Sequence, residues 1–170
     1  MPIKSPKEVL LMMLSDVRQG AEKAEKVYEE VGELAEDPQV KEALQARAFV
    51  TGKSLSKLDE CFRILGEQPS KLNGRLQEAL IEDFRRELGE IQGPVARRIF
   101  ALVKLNHLAQ FRASEYRALV AAADFVGHPG VSLLLETCLA ERLAFVERTQ
   151  RFLRNAVETK IAERAATAKA

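Results

Sequence analysis

The chain has 170 residues, and its 26 Lys and Arg nearly balance its 25 Asp and Glu, which leaves a formal net charge of +1. This balance argues against nucleic acid or an anionic membrane as a partner, because proteins that bind polyanions usually carry a basic excess. Charged residues make up 30% of the chain and aromatic residues only 6%, without Trp. That composition favours a helical globular protein over a sheet protein, and the length fits one domain.

The first predicted helix begins at Ser5, which can cap the free backbone amides. Pro6 suits the first helical position, and Glu8 completes a capping box. Apolar residues then recur in alternating steps of four and three, as in a helix packed nearly parallel to others in a bundle. The helix ends near Pro38, because proline disfavours a helical residue before it. The apolar stripe comprises Leu10, Leu14, Val17, Ala21, Ala24, Tyr28, Val31 and Ala35.

Three further long helices and one short helix are predicted after this point. The second long helix spans about 39–65 and ends at Gly66. A short amphipathic segment spans about 76–91, and the third long helix about 95–126. After a tight corner at Gly127-His128-Pro129-Gly130, the fourth long helix runs from about 131 past 155.

These three long helices carry stripes of their own. The second has Leu44, Ala48, Thr51, Leu55, Leu58, Phe62 and Leu65; the third has Leu102, Leu105, Ala109, Arg112, Tyr116, Leu119, Ala123 and Val126; the fourth has Leu133, Thr137, Ala140 and Ala144. Arg112 is out of place in an apolar stripe.

The pattern predicts an all-α, four-helix bundle with a short extra helix in the crossover between the second and third long helices. We expect a single domain over residues 1–166 and a frayed tail over 167–170.

Two features bear on the compartment of the protein. Cys61 and Cys138 form no CxxC pair and lie among apolar residues, so we expect buried thiols rather than a disulfide. The N-terminal stretch has no apolar core of the signal-peptide type. We therefore expect a cytoplasmic protein.

Little in the sequence points to catalysis or to a standard di-metal site. Neither His107 nor His128 belongs to a nucleophile motif. Metal centres in such bundles use Glu-x-x-His pairs, but Lys104 and Phe125 stand three residues before the two histidines. Carboxylate pairs with a spacing of three, such as Glu22 and Glu25, fit solvated helix faces.

The chain resembles the ferritin-like, YciE/YciF-type family of small bacterial stress-associated proteins. The resemblance rests on MPIKSPKEVLLMMLSD at the N-terminus, FRILGEQP, QEALIED, EYRALVAAADFVGH and LLLETCLAER, and it covers nearly the whole length. It implies a ferritin-like bundle, a homodimer, and inward-facing carboxylates for a di-iron type of site.

Residue by residue, this chain departs from the ligand pattern that the resemblance implies. Ala or Val stands where the family has ligands in all four long helices, and Arg does so in two of them. The affected positions are Ala21, Arg47, Val50, Ala109, Arg112 and Ala140. Because a divalent pair needs several hard oxygen or imidazole donors, we expect no di-metal centre and no cofactor.

The sequence therefore leaves two main hypotheses. The first is a non-enzymatic structural or interaction protein; the alternative is a protein that binds iron or another divalent metal through shifted ligands. The candidates for such ligands are Glu22, Glu25, Glu115, Glu136 and Glu141. Membrane-surface binding by residues 151–170 is a third possibility, but the acids in that segment favour a solvated helix end.

Arg112 is the residue that the first hypothesis must explain. A buried arginine requires a carboxylate partner. We expect a structural ion pair, with Glu136 on the fourth long helix or Glu25 on the first as the partner.

Overall fold

The computed structural model describes residues 3–34, 38–71 and 76–167, with the side chains of 24–26, 34, 76–78 and 162–167 outside the description. Five helices account for most of this length and no strand occurs in the described ranges. The helices are α1 (Pro6–Leu34), α2 (Pro38–Leu65), α3 (Leu76–Glu90), α4 (Pro94–Phe125) and α5 (Pro129–Thr167). The all-α prediction and the order of its elements are confirmed. Of the predicted frayed tail, Thr167 is helical and 168–170 lie outside the described residues.

Local signals place the helix ends where the sequence predicts them. Ser5 and Glu8 form the capping box, in which the Glu8 N–H donates to Ser5 Oγ at 3.2 Å and the Ser5 N–H donates to Glu8 Oε2 at 3.0 Å. Gly66 and Gly127 adopt positive φ angles of 68° and 74°. Each follows a helix whose last carbonyls receive backbone N–H groups from beyond its end, and glycine takes this left-handed position without steric strain.

The four long helices form a ring in which α1 contacts α2 and α4, and α5 also contacts α2 and α4. Helix α1 is antiparallel to α2 and to α4, since its N-terminal half packs with their C-terminal halves. Helices α2 and α4 are therefore parallel, and the chain between them must run the length of the bundle. Helix α3 lies in this crossover, where Phe84 and Leu88 are buried against α4.

The core consists of two apolar clusters with a polar layer between them. We call the cluster near Gly127 the corner cluster; it includes Leu10, Leu58, Leu119 and Leu135. The cluster near α3 is the crossover cluster, which includes Tyr28, Leu44, Phe84, Leu105 and Phe145. Between them lies the central layer, formed by the buried polar side chains Arg47, Thr51, Ser54, Arg112 and Arg142.

The predicted stripes of α1 and α4 are confirmed wherever their side chains are described, apart from Val126, which is half-buried. The stripe of α2 is confirmed in the main, with Ala48 and Leu55 half-buried. The predicted face of α5 is wrong. Its four members Leu133, Thr137, Ala140 and Ala144 are exposed, with Leu133 at 63%. The buried face carries Val131, Leu135, Cys138, Arg142, Phe145 and Thr149.

The α5 error has a simple physical origin. The residues of the buried face also repeat in steps of four and three, but Arg142 stands in the middle of this face. A face is predicted to be buried when it carries small and apolar residues, so the arginine made this face look exposed. The outward face offers alanines and a leucine instead, which a helix tolerates in solvent.

Candidate functional site

Arg112 is buried at the middle of α4, with only 1% of its surface exposed. Its Nη1 donates to Glu115 Oε2 at 2.6 Å, and its Nη2 donates to the backbone carbonyl of Val17 at 3.0 Å. The guanidinium therefore neutralises a carboxylate on its own helix and fastens α4 to α1. A charge-assisted hydrogen bond in a dry interior is stronger than a neutral one.

One carboxylate beside Arg112 is Glu115, which the sequence suggests only as a shifted metal ligand. Glu136, the expected partner on α5, is exposed instead. Glu136 lies on the side of α5 that was wrongly predicted to face the core. The side chain of Glu25, the other expected partner, lies outside the described residues.

Arg142 is the second buried arginine, on α5 at 3% exposure. Its Nη2 donates to Tyr116 Oη at 3.3 Å, and its guanidinium carbon lies 5.0 Å from the centre of the Tyr116 ring. The ring thus provides both an acceptor and a cation–π contact. Burial raises the pKa of Tyr116 well above its ordinary value, so the phenol is protonated at neutral pH.

Arg47 on α2 is the third buried arginine, also at 3% exposure. Its guanidinium carbon lies 5.4 Å from the centre of the Phe145 ring. Its Nε and Nη2 atoms are buried and have no hydrogen-bond partner among the residues that the structure describes. Buried guanidinium donors without a partner are uncommon, because each forfeits its hydrogen bonds to water.

Arg47 lines a cavity of about 240 Å³ that opens between α2 and α5. Most of the lining is apolar, and the charged residues are Arg47, Arg148 and Glu141. Glu141 is held by Lys57, whose Nζ lies 2.8 Å from Oε1, and by Ser54 Oγ at 3.5 Å from Oε2. The full lining is Ala43, Ala46, Arg47, Val50, Glu141, Ala144, Phe145 and Arg148.

The structure brings together only some of the positions to which the resemblance assigned ligands. Ala21, Arg47, Ala109 and Arg112 are buried, and Val50 is half-buried. Ala140 is exposed on the outer face of α5, so its assignment to the bundle centre is wrong. Arg142, two residues further on, occupies the buried face.

The proposed shifted ligands are dispersed. Glu22 is exposed and pairs with Arg18 at 2.7 Å, and Glu136 is exposed on α5. Glu115 and Glu141 lie near the central layer, but each is engaged by a cation, Arg112 and Lys57 respectively. The Glu25 side chain is outside the described residues.

These side chains do not fit a pair of divalent cations. The central layer presents guanidinium groups, which repel metal ions and offer no lone pair for coordination. Among the side chains that the structure describes, no group of three or more His, Cys, Asp or Glu could hold a metal ion.

The predicted apolar stripes missed the burial of Arg47 and Arg142, although the resemblance places Arg47 at an inward-facing ligand position. A signal was available for both residues. Arg47 stands three residues after Leu44 and four before Thr51, and Arg142 stands four after Cys138 and three before Phe145. Both therefore continue a buried stripe, as Arg112 does. Allowing one arginine in each stripe identifies all three.

The two cysteines are buried and unbonded, as the sequence predicts. Burial raises the pKa of the Cys61 thiol to about 12 and that of the Cys138 thiol to about 11. Both are therefore protonated at neutral pH and poor nucleophiles, because the thiolate is the reactive form. Within the described ranges, none of the helices is both long enough and apolar enough to cross a membrane.

The same fold occurs in solved structures of low sequence identity. YciF, a stress protein of Escherichia coli, matches with a TM-score of 0.85 at 17% identity, covering 92% of this chain and 99% of YciF. YcfI of Rhodopseudomonas palustris, described as a candidate structural protein, matches with a TM-score of 0.83 at 24% identity, covering 87% of this chain and 94% of YcfI. A Xanthomonas campestris protein matches with a TM-score of 0.64 at 19% identity, covering 94% and 98% of the two chains.

None of the curated proteins matches the chain in sequence. The family described as a domain of unknown function, DUF892, matches residues 5–166, which is nearly the whole chain. The chain therefore belongs to the DUF892 family, with the ferritin-like helical bundle of the YciF type.

Proposed function

We propose that the protein is a non-enzymatic, structural member of its family, in which buried arginines replace the metal pair at the centre of the bundle. The observation that carries this proposal is the burial of Arg112 in an ion pair with Glu115. Arg112 stands at a position where the resemblance implies a carboxylate ligand. A cation fixed there opposes the binding of a second cation, since like charges in a low-dielectric interior repel strongly.

The comparisons support this role at the level of the family. YciF is described as a stress protein and YcfI as a candidate structural protein. We extend both descriptions to this chain as part of the proposal, together with a cytoplasmic location and a homodimeric state. Sedimentation velocity at micromolar concentration tests the dimer: a single species with the mass of one chain contradicts it.

The alternative function is metal binding through shifted carboxylates. Glu115 and Glu141 favour it to a limited degree, because both border the central layer. Each must first leave its cation, Arg112 or Lys57, which opposes binding by the strength of the existing ion pair. Glu22 and Glu136 are exposed and point away from the same layer.

Anaerobic loading with Fe(II), followed by desalting and metal counting, separates the two functions. We expect iron well below one ion per chain, equal to the amount retained by Glu115→Gln. Tight iron at one or two ions per chain contradicts the structural proposal. If that iron is lost in Glu115→Gln or Glu141→Gln, the alternative is correct.

A further inference from the structure

Two donors of Arg47 lie on one edge of its guanidinium. Nε–H and one Nη2–H are parallel, and together they match the two oxygens of a carboxylate. The protein uses this edge elsewhere: Arg63 donates Nε and Nη2 to the two carboxylate oxygens of Glu60, and Arg85 does the same to Glu30. The equivalent edge of Arg47 has no partner among the described residues, although it is the one that is buried.

The cavity between α2 and α5 brings Arg47 within reach of a small molecule. Its volume of about 240 Å³ is below that of pockets that hold drug-sized ligands, about 300–1,000 Å³. Arg148, an exposed side chain, adds a second positive charge to the lining. Val50, Ala144 and Phe145 supply apolar surface beside it.

We propose that this cavity binds a small organic monocarboxylate. The carboxylate receives the paired hydrogen bonds of Arg47, and the apolar part of the ligand lies against Val50, Ala144 and Phe145. Because Nε and Nη2 are buried, binding requires the long Arg47 side chain to turn about its terminal torsions toward the ligand. The turn exchanges two unsatisfied donors for two charge-assisted bonds, which favours the bound state.

The lining selects this class of ligand over an inorganic phosphate. Glu141 borders the cavity, and its negative charge, although paired with Lys57, disfavours a dianion more than a monoanion. Most of the lining is apolar and forms no hydrogen bonds to the outer oxygens of a phosphate. This inference concerns a ligand site and does not depend on whether the bundle centre excludes metal.

The test is unfolding of the full chain by urea in sodium butyrate, compared with sodium chloride at equal ionic strength and pH. A ligand that binds only the native state lowers the unfolding constant by the factor 1 + [L]/Kd, about 11-fold at ten times Kd. We expect saturable stabilisation by butyrate, weaker stabilisation by acetate, and none specific to phosphate.

Two variants place the effect at the cavity. Arg47→Met keeps an unbranched, shorter side chain without the guanidinium and its charge, and we expect it to lose the butyrate effect entirely. Ala144→Phe fills the cavity from an exposed position, so it keeps the test valid if Arg47→Met fails to fold, and it should also abolish the effect. The matched control is Arg63→Met, on the same helix but outside the cavity, which should respond as the parent does.

The same experiment can overturn the proposal. Absence of saturable stabilisation of the parent by butyrate does so, as does an undiminished response in both Arg47→Met and Ala144→Phe. The proposal is also wrong if phosphate stabilises the parent as strongly as butyrate does and Arg47→Met abolishes that stabilisation. The cavity would then bind an inorganic anion and not a monocarboxylate. A second readout is the side-chain Nε–H resonance of Arg47 in the parent protein, which must shift on addition of butyrate.

Discussion

The two ends of the bundle and its middle are built from the same four helices but hold together by different chemistry. The corner and crossover clusters consist almost wholly of apolar side chains. The central layer places three buried arginines, Arg47, Arg112 and Arg142, between them. The ends are stabilised by removal of apolar surface from water, which needs no partner groups. The middle is stable only where each charge finds an acceptor, a ring or a counter-ion.

Within the central layer, the three arginines differ in how well they are satisfied. Arg112 has a carboxylate and a carbonyl. Arg142 has the Tyr116 hydroxyl and ring, but its buried Nε has no hydrogen-bond partner among the described residues. Arg47 has the Phe145 ring, while two of its donors lack partners among the described residues. Hydrogen bonding in the central layer is therefore most complete at Arg112, near α1, and least complete at Arg47, beside the α2–α5 cavity. The comparison between ends and middle can be tested by substitutions in each.

The largest loss is expected from an apolar truncation in the corner cluster. Leu58 is fully buried, and Leu58→Ala should lower the free energy of unfolding by about 2–5 kcal/mol, because it removes apolar contacts and leaves a cavity. Urea unfolding measures the loss. Ile64 on the same helix is exposed, and Ile64→Ala should change stability by only about 0.5 kcal/mol. Equal losses at both positions would show that the cluster is not packed as described.

The next largest loss is expected in the central layer. Glu115→Gln removes the charge that compensates Arg112 and should lower the free energy of unfolding by about 1.5–3 kcal/mol, the range for hydrogen bonds to charged groups. Glu60→Gln, in the exposed pair with Arg63, should cost less than about 1 kcal/mol. If the two variants lose the same small amount, Arg112 does not depend on Glu115.

The sequence predicts the two ends of the bundle better than its middle. The helices and the end clusters follow from apolar periodicity, since burial of Leu14 or Leu119 needs only a consistent face. The central layer follows only in part. Arg112 is identified because its stripe is otherwise apolar, and its burial is confirmed. Of its two expected partners, Glu136 is exposed, while the pair with Glu25 stays a prediction; Glu115 was not expected as a partner.

The remainder could not be predicted because its causes are tertiary. Whether Arg142 or Ala140 faces inward depends on how α5 rotates against α4, and both faces of α5 allow a stripe with the same period. The unsatisfied donors of Arg47 depend on where Phe145 and Glu141 come to lie across the α2–α5 contact. Such side-chain positions are determined by tertiary packing, and the local propensities of the residues say little about them.

An intermediate effect is expected from the thiols at alkaline pH. Burial raises the pKa of Cys61 from 9.0 to about 12, so the native thiol keeps its proton while the unfolded thiol loses it. This contribution to stability is intact below pH 9 and declines as the pH rises toward 12, by about 1.4 kcal/mol per pH unit for one thiol. Unfolding of the parent and of Cys61→Ala at pH 8 and pH 10 measures the difference.

The comparison between these two proteins isolates the thiol from other groups that titrate at high pH. Cys61→Ala should be less stable than the parent at pH 8. The difference in the free energy of unfolding between the two proteins should be smaller by about 1.4 kcal/mol at pH 10. A constant gap contradicts the raised pKa. Cys138→Ala should behave similarly, because burial raises the pKa of that thiol to about 11.

The smallest effect is expected at a position where sequence and structure disagree. Ala109 and Ala140 both stand where the resemblance implies ligands, yet Ala109 is buried on α4 and Ala140 is exposed on α5. Ala140→Leu should change the free energy of unfolding by only about 0.5 kcal/mol, since an exposed helical position accepts leucine without a clash. Ala109→Leu should lower it by about 1–3 kcal/mol, because the added atoms overpack the core. Urea unfolding of both variants measures how α5 is rotated. If Ala140→Leu lowers the free energy of unfolding strongly and Ala109→Leu lowers it only slightly, the face of α5 that carries Ala140 must be buried. Arg142 would then not belong to the central layer.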